Sequence, residues 1–209
     1  MISASEALDL LREGNRRFVM SQSRAGANSH HERRLTLVSG QEPFAIVLGC
    51  SDSRVPAELV FDQGFGDLFV IRVAGNIVAP SQVGSVEFAA LRFGTRLVVV
   101  VGHSQCGAIT ATVEEVLGRS TTESWNLRSI VDRVRPAVET LLSGTHADDL
   151  EGLMNEAVRA NVRASVNHLR HGSQLLERLI QVDGLRVVGA EYSLETGIVT
   201  FLDDVDEST

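Results

Sequence analysis

Two apolar runs, each closed by a glycine, constrain this chain more than anything else in it. Phe44-Ala45-Ile46-Val47-Leu48-Gly49 and Leu97-Val98-Val99-Val100-Val101-Gly102 carry no polar face. Such continuous runs read as strands buried on both sides, the pattern of a parallel sheet covered by helices. Each run gives way to a short polar segment: Cys50-Ser51-Asp52-Ser53-Arg54 after the first, His103-Ser104-Gln105-Cys106-Gly107 after the second. Residues just past the carboxyl ends of parallel strands are where open α/β folds bind their ligands.

The rest of the chain alternates in the same sense. Ser3 with Glu6 forms a capping box, and Leu8, Leu11 and Phe18 share one face of a helix over about 4–18. Residues 21–29 are small and polar and read as a loop, with a short helix near 32–38. A third strand is expected at 68–73, then a loop through Gly75, Asn76 and Pro80 and a helix near 83–93. A helix starts near Cys106. Residues 124–142 and 148–180 are helical by spacing, with a break at Gly172. Strands at 185–191 and 197–202, joined by a turn at Glu195-Thr196-Gly197, form a hairpin. The expected fold class is α/β: a central, mostly parallel sheet flanked by helices, with an N-terminal helical arm and a C-terminal edge hairpin.

Both cysteines of the 209-residue chain lie at the two strand ends, and a histidine precedes the second by three residues. Two thiolates and an imidazole suit zinc, and three protein ligands leave a fourth position open, as in catalytic sites. Cys106 sits where a helix begins, which favours its thiolate. Cys50 comes from another strand, so the site exists only if the two strands are close in the sheet. A disulfide is the first rival, disfavoured in a reducing cytosol. A cysteine phosphatase is the second; that class places five residues between Cys and Arg, and only three separate Cys50 from Arg54. A dinucleotide fold is the third, but Gly49-Cys50-Ser51 stands where its glycine-rich turn belongs.

The net charge of −8 argues against a nucleic-acid partner. The N-terminus shows neither a basic nor an apolar leader segment, and no apolar run is long enough to cross a bilayer. A cytoplasmic enzyme of small substrates, with no membrane partner, is the expectation.

Cys-x-Asp-x-Arg paired with His-x-x-Cys resembles the β-class carbonic anhydrases, and the likeness extends from the N-terminal helix through Cys50–Glu58 to the C-terminal strands. The resemblance implies a single domain over 1–209, with 1–40 as the helical arm and 41–209 as the α/β core. It implies Zn2+ held by Cys50, His103 and Cys106, and reversible hydration of carbon dioxide to bicarbonate. Asp52 and Arg54 match the family's dyad: Asp52 would accept a hydrogen bond from the attacking solvent, and Arg54 would keep it from closing the site as a fourth ligand. Read on spacing alone, the pair serves equally well as a simple loop salt bridge. Gln41, nine residues before Cys50, matches a substrate-binding glutamine of the plant-type subclass, though it also reads as a turn residue. Gly107 would offer its N–H to a substrate oxygen, or serve close helix packing. Phe69 fits an apolar pocket wall, or a core strand position.

The chain departs from that subclass at Ala74, where the pattern has valine, and at Phe88, where it has tyrosine. Val47 stands where the other, allosteric subclass has tryptophan. The family builds its pocket at a dimer interface, so a homodimer or homotetramer is implied, with Gln41 and Phe88 serving the partner's zinc. The apolar face of the first helix suits such docking or ordinary core packing. No proton shuttle is assigned among His30, His31, His146, His168 and His171. Hydrolysis of carbon disulfide or carbonyl sulfide, and a non-catalytic zinc-stabilised subunit, remain as alternatives.

Overall fold

A computed structural model describes residues 2–24, 30–142 and 150–202; His146 lies outside them. In chain order the elements are α1 (Ala4–Val19), α2 (His30–Thr36), β1 (Ala45–Gly49), α3 (Ala57–Val60), β2 (Leu68–Arg72), α4 (Pro80–Arg92), β3 (Leu97–His103), α5 (Gly107–Val116), α6 (Trp125–Leu142), α7 (Leu150–His171), α8 (Gln174–Val182), β4 (Arg186–Tyr192) and β5 (Val199–Phe201). The sheet order is β2-β1-β3-β4-β5. The first four strands run parallel, and β5 turns back antiparallel on β4.

This order answers the condition set by Cys50. From β1 the chain goes to one side for β2 and to the other for β3, so the winding reverses between β1 and β3. Those two strands pair directly, with Gly49 opposite Val101. A crevice opens outside the carboxyl ends at such a switch point, and Cys50 and His103 are the residues that reach it.

Successive side chains of a strand face opposite ways, and the two central runs supply two cores. Ala45, Val47, Val99 and Val101 pack on α1 and α3 through Leu8, Leu11, Val60 and Phe61. Ile46, Leu48, Val98 and Val100 pack on α4, α7 and α8 through Val86, Val162, Leu169 and Leu176. Gly102 is needed for this second contact: a Cβ there would come within 2.5 Å of Val162 Cγ2.

α1 begins with the expected capping box, Glu6 N–H to Ser3 Oγ and Ser3 N–H to Glu6 Oε2. Its apolar face lies on this chain's own sheet. Asn15 fastens it, donating to Val60 O and Gly197 O and accepting from Val199 N–H. Of the two readings of Leu8, Leu11 and Phe18, core packing is the one the chain shows. α4 starts earlier than its apolar spacing suggests. Pro80, expected in the loop, is its first residue, where a fixed φ and a missing N–H cost nothing. The helices of the C-terminal half break at Gly172, as the spacing predicts. No helix among the described residues is long and apolar enough to cross a membrane.

Candidate metal centre

Cys50 leaves β1 one residue after its last ladder position, and His103 is the last residue of β3. Ser104 and Gln105 then turn the chain back, and Cys106 caps α5. The turn depends on Gln105, whose φ of 55° is a left-handed conformation rarely taken by a residue with a side chain. As a result the two sulfurs and a ring nitrogen of His103 lie within 4.8 Å of one another.

The donor set fits a tetrahedral thiolate–imidazole ion. The Cys50 and Cys106 sulfurs are 4.0 Å apart and both cysteines are free. That is far from a disulfide, and close to the ~3.8 Å that two sulfurs on one zinc would show. His103 is fully buried. Its Nδ1 faces Ser104 O at 2.9 Å; a carbonyl only accepts, so Nδ1 carries the proton and Nε2 presents a lone pair. That Nε2 has no hydrogen-bond partner, one of two such buried side-chain atoms among the described residues. A buried acceptor left unpaired is costly, and a metal ion is the partner its surroundings provide for.

Charge points the same way. The cysteines sit in an apolar cluster with Ile109, Val113, Val134 and Val158. The Cys106 contact, resisted by burial and helped by the nearby His103 ring and by the Gly75 N–H at 3.3 Å, lowers the Cys50 thiol. The same contact, with burial, pushes Cys106 up. The two thiols thus oppose ionising together. A divalent ion lets both cysteines ionise. Burial works against a charged His103, but Cys50, the Ser104 carbonyl and Asp52 together raise that imidazole.

Asp52 stands beside this group without joining it. Arg54 grips its carboxylate with both prongs, Nε to Oδ1 at 2.9 Å and Nη2 to Oδ2 at 2.7 Å, and adds its backbone N–H at 2.9 Å. These bonds hold the carboxyl well below the usual carboxylate range. Arg54 Nη2 also reaches Gln105 O at 3.3 Å, tying the two strand-end segments together. The pair lies beside the cluster as well as within its loop: Asp52 Oδ2 is 3.9 Å from His103 Nε2.

Gly107 opens α5, where its N–H has no partner within the helix. A Cβ there would meet nothing within 4 Å, so close packing does not account for this glycine. The remaining candidates lie elsewhere. Gln41 precedes β1, and β1 spans about 13 Å at the usual rise, so Gln41 is at the other end of the strand from Cys50. It lines a crevice with Leu37, Val38, Phe65 and Phe93. Phe93 also packs on Phe69 (6.0 Å between centroids) and on Phe88 (5.7 Å). Gln41, Phe69 and Phe88 thus gather around Phe93, away from this chain's own sulfurs.

Two supporting groups are not evident from sequence patterns. The Gly75 N–H on Cys50 belongs to a loop that α7 holds through Asn161 Nδ2 to Gly75 O (2.8 Å) and Ser165 Oγ to Asn76 O (3.1 Å). Arg72 binds the carbonyls of Cys50 and Asp52. Its one sequence signal is a lone cation closing the apolar run Leu68–Ile71.

A doubly wound sheet with a cysteine–histidine–cysteine cluster at its switch point, beside an Asp–Arg pair, defines a class of α/β enzyme whose site could hold a metal ion. Comparison with known proteins places the chain within it. The family described as carbonic anhydrase matches residues 45–199. Carbonic anhydrase 2 of Mycobacterium tuberculosis is 36% identical over 197 residues, covering 93% of this chain and 91% of that one. The carbonic anhydrase of Mycolicibacterium smegmatis is 37% identical over 202 residues, covering 94% of each. Among solved structures, a β-carbonic anhydrase of Aspergillus fumigatus superposes with a TM-score of 0.75 at 25% identity, covering 97% of this chain and 91% of that one. The chain belongs to the β-carbonic anhydrase family of enzymes.

Proposed function

We propose that the chain catalyses the zinc-dependent, reversible hydration of carbon dioxide to bicarbonate and a proton. The observation that carries this reading is the pairing of an unpartnered, buried His103 Nε2 between two sulfurs with an Asp52 carboxylate held 3.9 Å away. Cys50, His103 and Cys106 would hold the ion. Zinc at such a site supplies Lewis acidity, lowering the pKa of coordinated water so that a nucleophile is present at accessible pH.

The chain's own residues do the rest. Asp52 is kept ionised by Arg54 and can only accept hydrogen bonds. It would therefore accept a hydrogen bond from the attacking solvent molecule and orient that molecule's lone pair toward carbon dioxide. Arg54 keeps Asp52 from filling the fourth ligand position. The Gly107 N–H, at the positive end of α5, is suited to charge developing on a substrate oxygen.

Gln41, Phe69 and Phe88 would complete the pocket of a second copy in a homodimer or homotetramer. Phe65, Phe88, Leu91 and Val38 are exposed apolar side chains around that region, a surface suited to burial against another chain. The two free, adjacent cysteines suit a reducing compartment such as the cytoplasm.

Stopped-flow hydration of carbon dioxide tests the reading. The zinc-loaded wild type is expected to be active and Cys106→Ser inactive with reduced metal. A zinc-loaded wild type inactive across the pH range would reduce the site to a structural one.

A further inference from the structure

We infer that Arg72 is a positioning residue that keeps the Asp52 carboxylate off the metal position by clamping the backbone on either side of Ser51. The β1–β2 ladder ends with Val73 N–H donating to Gly49 O at 3.1 Å, and Arg72 sits opposite Gly49 in register. Beyond that point the carbonyls of Cys50 and Asp52 have no strand facing them. The Arg72 guanidinium takes over, donating from Nε to Cys50 O at 3.1 Å and from Nη2 to Asp52 O at 2.7 Å.

A guanidinium carries its donors in one rigid plane. Bound to two carbonyls two residues apart, it fixes them relative to each other, and so fixes the direction in which Asp52 projects its side chain. Val55 N–H, 3.1 Å from the same Asp52 carbonyl, closes the turn toward Arg54. Residue 52 is thereby held at both ends, its carboxylate by Arg54 and its backbone by Arg72.

Small displacements matter here. Asp52 Oδ2 is 3.9 Å from His103 Nε2, whereas an oxygen and a nitrogen sharing one tetrahedral zinc would be about 3.4 Å apart. A modest relaxation of the Cys50–Asp52 turn brings the carboxylate within ligating reach, and the restraint left on it is then Arg54, half-exposed on its own loop.

This inference rests on the metal reading of Cys50, His103 and Cys106, and the test separates the two. The zinc is replaced by Co2+, whose visible absorption reports its ligands, and thiocyanate is titrated as a probe of the open fourth position. In R72A the thiocyanate affinity is expected to fall by roughly 10–100-fold, the range typical of groups that orient metal ligands. The double variant R72A/D52N is expected to regain the affinity of D52N alone, because no carboxylate remains to compete. R72K, which keeps the charge but not the fork, is expected to behave like R72A and is read in its place if R72A does not fold. An unchanged affinity in these variants overturns the role of Arg72, as does a loss that D52N does not restore. A wild-type chain that takes up no Co2+ overturns the metal reading itself.

Discussion

Asp52 Oδ2 stops 3.9 Å from His103 Nε2, beside the cysteine–histidine cluster without entering it. The separation is maintained by Arg54, whose two prongs occupy both carboxylate oxygens. Asp52→Asn keeps the shape but gives Arg54 a neutral partner and presents a mixed donor and acceptor to solvent. Hydration is expected to fall by about 10–100-fold with zinc content unchanged. Stopped-flow rates paired with metal analysis check this, and equal rates in variant and wild type contradict the role given to Asp52.

The ligand charge sets the pH dependence. Three neutral imidazoles leave a zinc ion its full charge and a water pKa near 7. Two thiolates would cancel that formal charge, so solvent on an ion held by Cys50, His103 and Cys106 would be less acidic. Hydration is expected to rise through the alkaline range. A pH–rate profile already flat at mildly acidic pH contradicts it.

Gln105 stores backbone strain between His103 and Cys106, at φ 55°. Gln105→Gly removes the Cβ that makes this conformation costly and is expected to leave metal content and melting temperature nearly unchanged. Gln105→Val places a β-branched side chain there and is expected to cost about 1–3 kcal/mol. Thermal and denaturant unfolding of both variants check this; equal stabilities contradict it.

At the other end of the chain, the backbone and hydroxyl of Ser3 hold the exposed Glu6 carboxyl below its ordinary value. A depressed folded-state value means that the contribution is present above about pH 4.3, the unfolded carboxylate range, and is lost as pH falls through the folded one. The Tm gap between wild type and Glu6→Ala is expected to be widest near pH 6–7 and to close on acidification. A gap that persists at pH 3 contradicts this sign.

The range of each interaction decides how much of the fold and the site is legible in the sequence. The strands are readable because burial on both faces leaves an unbroken apolar run, as in Ile46–Leu48 and Val98–Val101. The candidate ligands are readable because they sit immediately after such runs, which lie side by side once β1 pairs with β3. Arg72 is not, because its partners are backbone carbonyls 20 and 22 residues away, which leave no mark on residue type. Nor is the left-handed turn at Gln105, where neither Gly nor Asn signals it. Pro80 reads as loop because proline breaks helices more visibly than it starts them. Gln41, Phe69 and Phe88 gather around Phe93 in this chain, so the substrate-binding roles that the resemblance implies for them are not readable from one chain's fold.

The most direct test is the zinc content of the purified chain, measured by inductively coupled plasma mass spectrometry for wild type, Cys50→Ala and Cys106→Ala. One ion per wild-type chain, lost in both variants while far-ultraviolet circular dichroism retains the fold, is the expected result. A wild type without zinc, or variants that keep a full complement, would show that sulfur from 50 and 106 does not hold a shared ion.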